Sequence, residues 1–169
     1  MKEFKEINLK ELKGNPFSMI GSQWMLVTAE REGKVNTMTA SWGGLGVIWN
    51  KNVAYVFIRP QRYTKEFMDS ADTFSLSFYD EKYKKELGYL GSVSGRDEDK
   101  ILKTGFKETH CCGTPYFEEA DLVLICKKLY TQEFKPECFV DIEFGKCFYP
   151  ENDYHTMYIA EITKALESK

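Results

Sequence analysis

The alternation of polar and apolar residues predicts a chain built mainly from β-strands. Thr37, Thr39 and Ser41 alternate with apolar neighbours, which indicates a strand with one hydroxyl-bearing face and one apolar face. A charged cluster at residues 30–34 predicts a hairpin turn before this strand. Further strand-like runs cover residues 24–30, 53–58, 73–78, 120–131, 139–144 and 156–162. About seven strands are therefore expected.

Short helices are predicted between some of these strands, at residues 64–70, 80–87 and 97–103. Thr64 is expected to cap the first helix, and Gly88 and Gly105 to end the other two. Strands with this spacing favour an antiparallel barrel over a doubly wound sheet, and no G-x-G-x-x-G motif follows a strand. We expect one domain, residues 1–169, that is mainly β with short flanking helices.

Three glycines, Gly43, Gly44 and Gly46, directly follow the threonine-bearing strand. Glycine weakens a strand interior, so these residues would let the backbone come close to a flat or anionic ligand. The same pattern is typical of a flexible turn after a strand, with Trp42 and Trp49 filling the core. From these residues alone, both interpretations stay open.

The charge and the cysteine content of the chain limit the kinds of ligand and partner that it is expected to bind. The net charge is −3 and the pI is near 5.6, with Lys and Arg dispersed, which argues against nucleic acid and anionic membranes as partners. The five cysteines include no C-x-x-C pair and no histidine at metal-ligand spacing, so we expect reduced thiols and no metal. The first ten residues are charged and no apolar run would span a bilayer, which predicts a cytoplasmic protein.

The segment from Arg59 to Thr64 is the best candidate for an anion site. It joins a buried strand to a predicted helix. A phosphate there would meet free backbone N–H groups, the Thr64 hydroxyl and the guanidinium of Arg59, Arg62 or both. The alternative is an ordinary loop in which the arginines are merely solvated.

A second helix start carries Ser94 and Arg96, with Lys100 one turn later. These side chains either contact a ligand or belong to a capped surface loop. Two helix starts that both carry hydroxyl and guanidinium groups would suit a nucleotide-like cofactor with spread polar groups.

The two histidines are candidate catalytic groups. His155, just before the last predicted strand, could donate a hydrogen bond to a cofactor or substrate; the alternative is a surface or capping residue. His110 adjoins Cys111 and Cys112, but neighbours on an extended chain point to opposite faces. A thiol–histidine catalytic pair is therefore not expected.

Taken together, these segments resemble the flavin reductase-like family of FMN-binding split barrels, which includes NAD(P)H:flavin oxidoreductases and flavoredoxin electron carriers. The resemblance runs from Phe17 to Ile162. The matching pieces are residues 36–42, 59–64, 94–100, 115–126 and 155–159. The resemblance implies a six-stranded antiparallel Greek-key split β-barrel with flanking helices, which works as a homodimer with FMN near the subunit interface.

The resemblance also implies roles for particular residues. The backbone and hydroxyls of Thr39, Ala40 and Ser41 would hold the isoalloxazine edge, with Asn36 and Trp42 nearby.

At the other end of the cofactor, the resemblance implies that Arg59, Tyr63 and Thr64 take the phosphate, a site that Arg62 could share. The ribityl-phosphate end or a partner cofactor would be reached by Ser94, Arg96 and Lys100. His155 would lie beside the flavin or the nicotinamide.

The implied activity is that of an FMN-dependent oxidoreductase. NAD(P)H would pass hydride to flavin N5, and electrons would continue to a second flavin, a quinone-like molecule or a small protein. One alternative is an FMN electron carrier that another protein reduces; another is a non-enzymatic barrel that binds haem or another ligand. The sequence neither chooses between NADH and NADPH nor excludes FAD.

Overall fold

The structure is a computed structural model that describes residues 2–169, so Met1, with which the predicted domain begins, lies outside the described residues. The strands are β1 (Phe4–Ile7), β2 (Met25–Arg31), β3 (Lys34–Ala40), β4 (Gly43–Ile48), β5 (Lys51–Ile58), β6 (Thr73–Phe78), β7 (Glu108–Cys111), β8 (Thr114–Phe117), β9 (Leu122–Glu133) and β10 (Thr156–Ser168). The α-helices are α1 (Pro16–Ser18), α2 (Thr64–Ser70), α3 (Lys84–Ser92), α4 (Lys100–Thr104) and α5 (Ile142–Phe148). None of the helices in this range is long and apolar enough to cross a membrane. The prediction of a mainly β fold with short helices is confirmed.

The main sheet is antiparallel and contains eight strands within the described range, more than the six that the resemblance implies. Seven of them run in the order β3-β2-β6-β9-β10-β5-β4, and β1 pairs with the end of β10. The N-terminal strand β1 was not predicted. Strand β10 continues to Ser168, beyond the predicted end at residue 162. Because β5 pairs only with residues 156–161 of β10, the edge at residues 165–168 is free to pair with β1.

The two outer strands of this path, β3 and β4, are consecutive in the chain. Only Ser41 and Trp42 separate the end of β3 from the start of β4. A link of two residues cannot bridge a flat seven-strand sheet, because neighbouring strands are about 4.8 Å apart. The sheet must therefore curl until its edges meet at Ser41 and Trp42, which gives an incompletely closed barrel.

The core lies on both sides of this curled sheet. Alternate residues of six strands form one cluster that the barrel encloses, including Met25 and Val27 of β2. Leu26, between them, belongs to a second cluster with Leu87 of α3 and Phe117 of β8. Because β2 is buried on both faces, it fixes the position of β3, its hairpin partner, against α3.

The glycine-rich stretch, of which Gly43 and Gly44 line a cavity of about 420 Å³, is not a turn. It forms β4, whose Gly44 pairs with Tyr55 of β5. A Cβ atom on Gly44 would collide with the Tyr55 ring, so the glycine gives that ring room to lie across β4. Close backbone approach was predicted correctly, but the flat group approached is a side chain of the protein itself.

Gly43 provides a stability test with a matched control in the same strand. Its φ is 155°, and a Cβ there would lie 2.6 Å from the backbone oxygen of Tyr55, whereas the nearest atom to a Cβ on Gly46 is 3.9 Å away. We expect Gly43→Ala to lower the free energy of unfolding by about 2 kcal/mol. Gly46→Ala should change it by less than about 1 kcal/mol. Urea unfolding measures the free energy of both variants. Equal losses would show that the close contact at Gly43 is not what makes its replacement destabilising.

The predicted strand at residues 139–144 is wrong. A 3₁₀ turn, Pro136–Cys138, and helix α5 occupy this part of the chain. Asp141 begins the helix because its carboxylate accepts hydrogen bonds from the backbone N–H groups of Glu143 and Phe144, at 3.1 and 3.2 Å. The alternating apolar side chains that suggested a strand, Ile142 and Phe144 among them, are exposed.

Two predicted helix termini also differ. Helix α3 continues through Gly88 to Ser92, so this glycine does not end it. Helix α2 has the predicted bounds, but Tyr63 occupies the N-cap position and Thr64 does not cap. The Thr64 hydroxyl is buried and accepts a hydrogen bond from the Asn36 amide at 3.0 Å, which leaves it unavailable to the helix start.

Helix α4 begins later than predicted, at Lys100. Asp99 is its N-cap and accepts a hydrogen bond from the Leu102 backbone N–H at 3.0 Å. The preceding residues form turns, in which Ser94 accepts from the Asp97 N–H at 3.1 Å. Gly105 ends the helix with a φ of 71°, and this prediction is confirmed.

Candidate functional site

The barrel edges meet beside a cavity of about 330 Å³, which we call the corner crevice. Strand β3 and the link after it form one wall, the ends of β5 and of the 150–155 segment form another, and helix α3 closes the side. The crevice is lined by Met38, Thr39, Ala40, Ser41, Trp42, Phe57, Arg59, Arg62, Gly91 and His155. Residues from four separate segments of the chain therefore converge here.

The β3 wall carries two hydroxyl groups, of which that of Thr39 is already hydrogen-bonded within the protein and that of Ser41 is exposed. Thr39 donates its hydroxyl hydrogen to the Leu87 carbonyl of α3. Helix and strand are close at this point, since a Cβ on Gly91 would lie 3.0 Å from the Thr39 Cβ. Ala40 is buried in the barrel core, whereas Ser41 is exposed at the crevice. Ser41 is thus the hydroxyl that this wall offers to a ligand.

Arg59 is held by the chain segment opposite. Its guanidinium donates to the Asp153 carboxylate and, at 3.0 Å, to the Phe148 carbonyl, and it lies 5.3 Å from the Tyr149 ring centroid. Gln61 donates to the same carboxylate at 2.9 Å. Hydrogen bonds from Gln61 and Arg59 lower the pKa of Asp153. The charge of Arg59 is therefore balanced, and the residue clamps the end of β5 to residues 148–153.

Arg62 has no such carboxylate partner. It forms no ion pair within residues 2–169, and its guanidinium donates to the Gly91 carbonyl at 2.7 Å. Lys100 donates to the neighbouring carbonyls of Leu90 and Val93, at 2.7 and 2.8 Å. Both cations therefore bind carbonyls at the C-terminal end of α3, where the helix dipole favours positive charge.

The environment of Arg62 and Lys100 is one in which positive charge is costly. Burial lowers the pKa of Arg62. Burial, and secondly the charge of Arg62, lower the pKa of Lys100 to about 8. An anion bound in the crevice beside Arg62 would supply the counter-charge that this guanidinium lacks among the described residues.

His155 is buried at the floor of the crevice. Its Nδ1 atom lies 2.8 Å from the Tyr149 hydroxyl, and only 7 % of the residue is exposed. Burial first, then the charge of Arg59, lower the pKa of His155 to about 4, against an opposing effect of Asp153. Burial raises the pKa of Tyr149. At neutral pH the pair thus consists of an uncharged imidazole and a protonated phenol.

Aromatic rings form the apolar side of the crevice. Trp42 is 43 % exposed, and its ring centroid lies 5.1 Å from that of His155 and 5.8 Å from that of Phe148. Phe57 lines the crevice from β5. A flat ligand entering the crevice would meet aromatic faces on this side and the hydroxyl and guanidinium groups on the others.

Comparison with known proteins places this geometry in a family. The sequence profile of the flavin reductase like domain matches residues 17–169. The chain belongs to the flavin reductase-like family. No curated protein matches the sequence.

Several solved structures share the flavin reductase-like fold. An FMN-binding domain of a flavin reductases-like enzyme from Shewanella baltica is 19 % identical, with a TM-score of 0.71 over 98 % of this chain and 78 % of its own. Flavoredoxin from Methanosarcina acetivorans is 25 % identical, with a TM-score of 0.68 over 85 % and 67 %. An FMN-binding protein from Thermus thermophilus is 21 % identical, with a TM-score of 0.69 over 96 % and 81 %. The split-barrel fold that the family resemblance implied is thereby confirmed.

The crevice of this flavin reductase-like chain brings together seven of the residues singled out in the sequence: Thr39, Ala40, Ser41, Trp42, Arg59, Arg62 and His155. The remaining six do not line it. Asn36 and Thr64 are buried against each other, and Arg96 pairs with Glu66 and lies 4.7 Å from the Tyr63 ring centroid. Ser94 accepts a hydrogen bond from the Arg96 backbone N–H at 3.2 Å. Lys100 lies behind the crevice, at the end of α3.

Sequence reasoning missed the crevice residues Met38, Phe57 and Gly91, and the supporting groups Tyr149 and Asp153. Phe57 was hidden in an apolar run that looked wholly buried. Tyr149 and Asp153 both precede His155, in a segment that follows the residues mistaken for a strand. The acidic and aromatic composition just before His155 was the available signal, but their contacts with Arg59 span about ninety positions of sequence.

Proposed function

We propose that this protein binds FMN in the corner crevice and acts as an NAD(P)H-dependent oxidoreductase of the flavin reductase type. The observation that carries the proposal is the combination, in one crevice, of an arginine without a carboxylate partner, an aromatic wall and an uncharged buried histidine. Membership of a family with FMN-binding members supports the same cofactor.

The donor set fits FMN. A phosphate requires positive charge, which Arg62 supplies with Lys100 behind it. The ring requires apolar cover, which Trp42 and Phe57 supply. Bound FMN would itself supply the acceptance of hydride and the onward transfer of electrons.

The chain's own groups would orient this cofactor. The Thr39 hydroxyl is already committed to Leu87, so we assign ring-edge contacts to the Thr39 backbone and to the Ser41 hydroxyl. We assign the Tyr149 hydroxyl as hydrogen-bond donor to Nδ1 of His155, an assignment that places the ring proton on Nε2. His155 then acts as a neutral hydrogen-bond donor towards the crevice, and Arg59 holds the wall behind it.

A second candidate is an FMN electron carrier without NAD(P)H activity of its own. The 25 % identity with a flavoredoxin favours it. A bound flavin would show in the absorption spectrum of the purified protein, and chromatography after heat release would separate FMN from FAD. A colourless protein that ignores added flavin would contradict both candidates and favour a non-enzymatic barrel.

Anaerobic mixing of the flavin-loaded protein with NADH or NADPH distinguishes the two candidates. We expect bleaching of the flavin absorption within seconds with at least one nicotinamide, at a rate constant on the order of 1 s⁻¹ or faster. A spectrum that stays oxidised with both nucleotides, yet bleaches with dithionite, would assign the carrier role. Adding a second flavin or a quinone to the reduced protein would then show which acceptor it reduces.

We further propose that the protein works as a homodimer, as the resemblance implies. The outer strand β4 and its surroundings expose large apolar side chains: Val47 is 75 % exposed and Trp49 54 %. The ring of Trp49, in the turn between β4 and β5, lies 6.3 Å from that of Tyr130 of β9, which is also exposed, so the two rings extend this apolar surface. Sedimentation should give a dimer for the wild type and a monomer for Val47→Lys; a wild-type monomer would contradict the proposal.

A further inference from the structure

Two adjacent cysteines stand at the tip of the β7–β8 hairpin, remote from the corner crevice. Cys111 ends β7 and pairs with Thr114, so Cys112 and Gly113 form a two-residue turn. Both turn residues have positive φ, 52° and 78°, as in a type I′ turn. On an extended strand adjacent side chains would point apart. In this turn, the Sγ atoms of Cys111 and Cys112 instead lie 3.9 Å apart.

Turn chemistry does not account for Cys112. The first position of a type I′ turn favours Asn, Asp or Gly, and another residue with left-handed backbone costs roughly 1–2 kcal/mol. Cys112 is exposed, so core packing does not account for it either. The backbone holds the thiol in an unfavoured conformation in which it faces a second thiol.

The hairpin is anchored on its β8 side. All four residues of β8 are buried, the Thr114 hydroxyl donates to that of Thr73 at 2.8 Å, and the Ser75 hydroxyl donates to the Pro115 carbonyl at 2.6 Å. The two sulfur atoms are thus presented at an accessible tip by a fixed support, which lowers the entropy cost of binding both to one ligand atom.

The surroundings limit the class of ligand. Tetrahedral zinc, with Zn–S distances of about 2.3 Å, places sulfurs about 3.8 Å apart, so 3.9 Å suits two sulfurs on one soft atom. Zinc needs further ligands, however, and residues 2–169 contain no group of three His, Cys, Asp or Glu arranged to hold a metal. His110 is 2.7 Å from Glu30 instead. The site therefore suits a thiophilic atom that needs only two protein sulfurs.

We propose that Cys111 and Cys112 form a binding site for trivalent, monosubstituted arsenicals. In the reaction, R–As=O and the two thiols give R–As(S-Cys)₂ and water. Both S–H bonds and the As=O bond are broken, two As–S bonds form, the protons leave in the water, and no atom is oxidised or reduced. The organic substituent fills the third position on arsenic, so binding requires no third ligand from the protein.

The protonation of Cys111 agrees with this chemistry. Burial, and next the contact with Cys112, raise the pKa of Cys111, and these effects exceed the lowering by the ammonium of Lys164. A protonated Cys111 thiol is poorly suited to begin disulfide exchange, which requires a thiolate. It can still react with an arsenic oxide, because the oxide oxygen takes up the thiol protons as water.

The dithiol site is independent of the proposed flavin site. Lys164, beside the two sulfurs, is eight residues along β10 from Thr156, next to the crevice, which is about 26 Å in an extended strand. Arsenical binding therefore does not rest on the proposed function, and failure of either proposal leaves the other standing.

The experiment treats the purified, reduced protein with phenylarsine oxide and records intact mass and free thiols. We expect one phenylarsenic adduct per chain and a loss of two of the five thiols. The adduct should resist 2-mercaptoethanol and be removed by 2,3-dimercaptopropanol. Cys112→Ser should weaken binding at least about 100-fold, because it abolishes chelation.

Cys138→Ser and Cys147→Ser are matched controls, since they remove exposed thiols elsewhere and should keep full binding. Cys112 is itself exposed, so the test does not depend on whether Cys111→Ser folds. Adduct formation that survives Cys112→Ser, or that is lost in a control variant, would overturn the proposal. So would a folded wild type that gives no adduct while its urea-unfolded form does.

Discussion

Replacing Arg62 with Gln should weaken FMN binding by about 10- to 100-fold. A charge-assisted hydrogen bond contributes about 1.5–3 kcal/mol, and a phosphate would lose one here together with the charge. Arg62 is the crevice arginine that forms no ion pair within the described residues, so its charge is the one available for a ligand. Titration of apoprotein with FMN, followed by quenching of flavin fluorescence, measures the change in Kd.

Arg96→Gln is the matched control for Arg62→Gln. Arg96 is an arginine from the neighbouring segment, but it is exposed, pairs with Glu66 and lies outside the crevice. We expect its Kd for FMN to stay within about threefold of the wild type. A loss in Arg96→Gln as large as in Arg62→Gln would move the phosphate to the second helix start, where the resemblance to the family also placed candidate residues.

Arg59→Gln should act differently from Arg62→Gln. It removes the partner of Asp153, so the free energy of unfolding should fall along with FMN affinity. Arg62→Gln loses contact with one carbonyl only, and its effect should appear mainly in binding. The role of Thr64 at the phosphate stays a prediction, and its buried hydrogen bond with Asn36 favours a structural role.

The strands β2, β3, β5, β6, β9 and β10 were predictable because burial on one or both faces leaves a local signature, whereas the short strands β1, β7 and β8 were not predicted. Residues 73–78 were predicted with the observed bounds because alternation is a property of adjacent positions. The bounds of residues 64–70 were also right, although Thr64 does not cap this helix. Helix α5 was not predictable in this way. Its alternating Ile142 and Phe144 imitate a strand, but they are exposed, and burial depends on what the rest of the chain covers.

The candidate site was predictable in part for the same reason. The motif around Ser41 and the turn at Arg59 and Arg62 are local features, and both line the crevice. What no local pattern reveals is the pairing of charges. Asp153 reaches Arg59 across about ninety residues, and only this contact shows that Arg62, and not Arg59, keeps an unbalanced charge.

His155 should make the folded protein sensitive to acid. An unfolded histidine has a pKa of about 6.5, whereas burial and Arg59 hold that of folded His155 at about 4. Above about pH 6.5 both states are neutral and the stabilisation is complete. As the pH falls towards 4, the unfolded chain binds a proton that the folded ring does not. The free energy of unfolding should then fall by about 1.4 kcal/mol per pH unit, or about 3 kcal/mol in all.

Urea unfolding of the apoprotein from about pH 7.5 to 4.5 measures this loss, and His155→Gln isolates it. The variant cannot bind the proton in either state, so its stability should decline less steeply than that of the wild type over this range. Asp153, whose pKa is lowered, also loses stabilisation in acid, but it does so in both proteins and cancels in the difference. Parallel curves for wild type and His155→Gln would show that His155 takes up protons freely in the folded state, and the assignment of a neutral donor in the crevice would then fail.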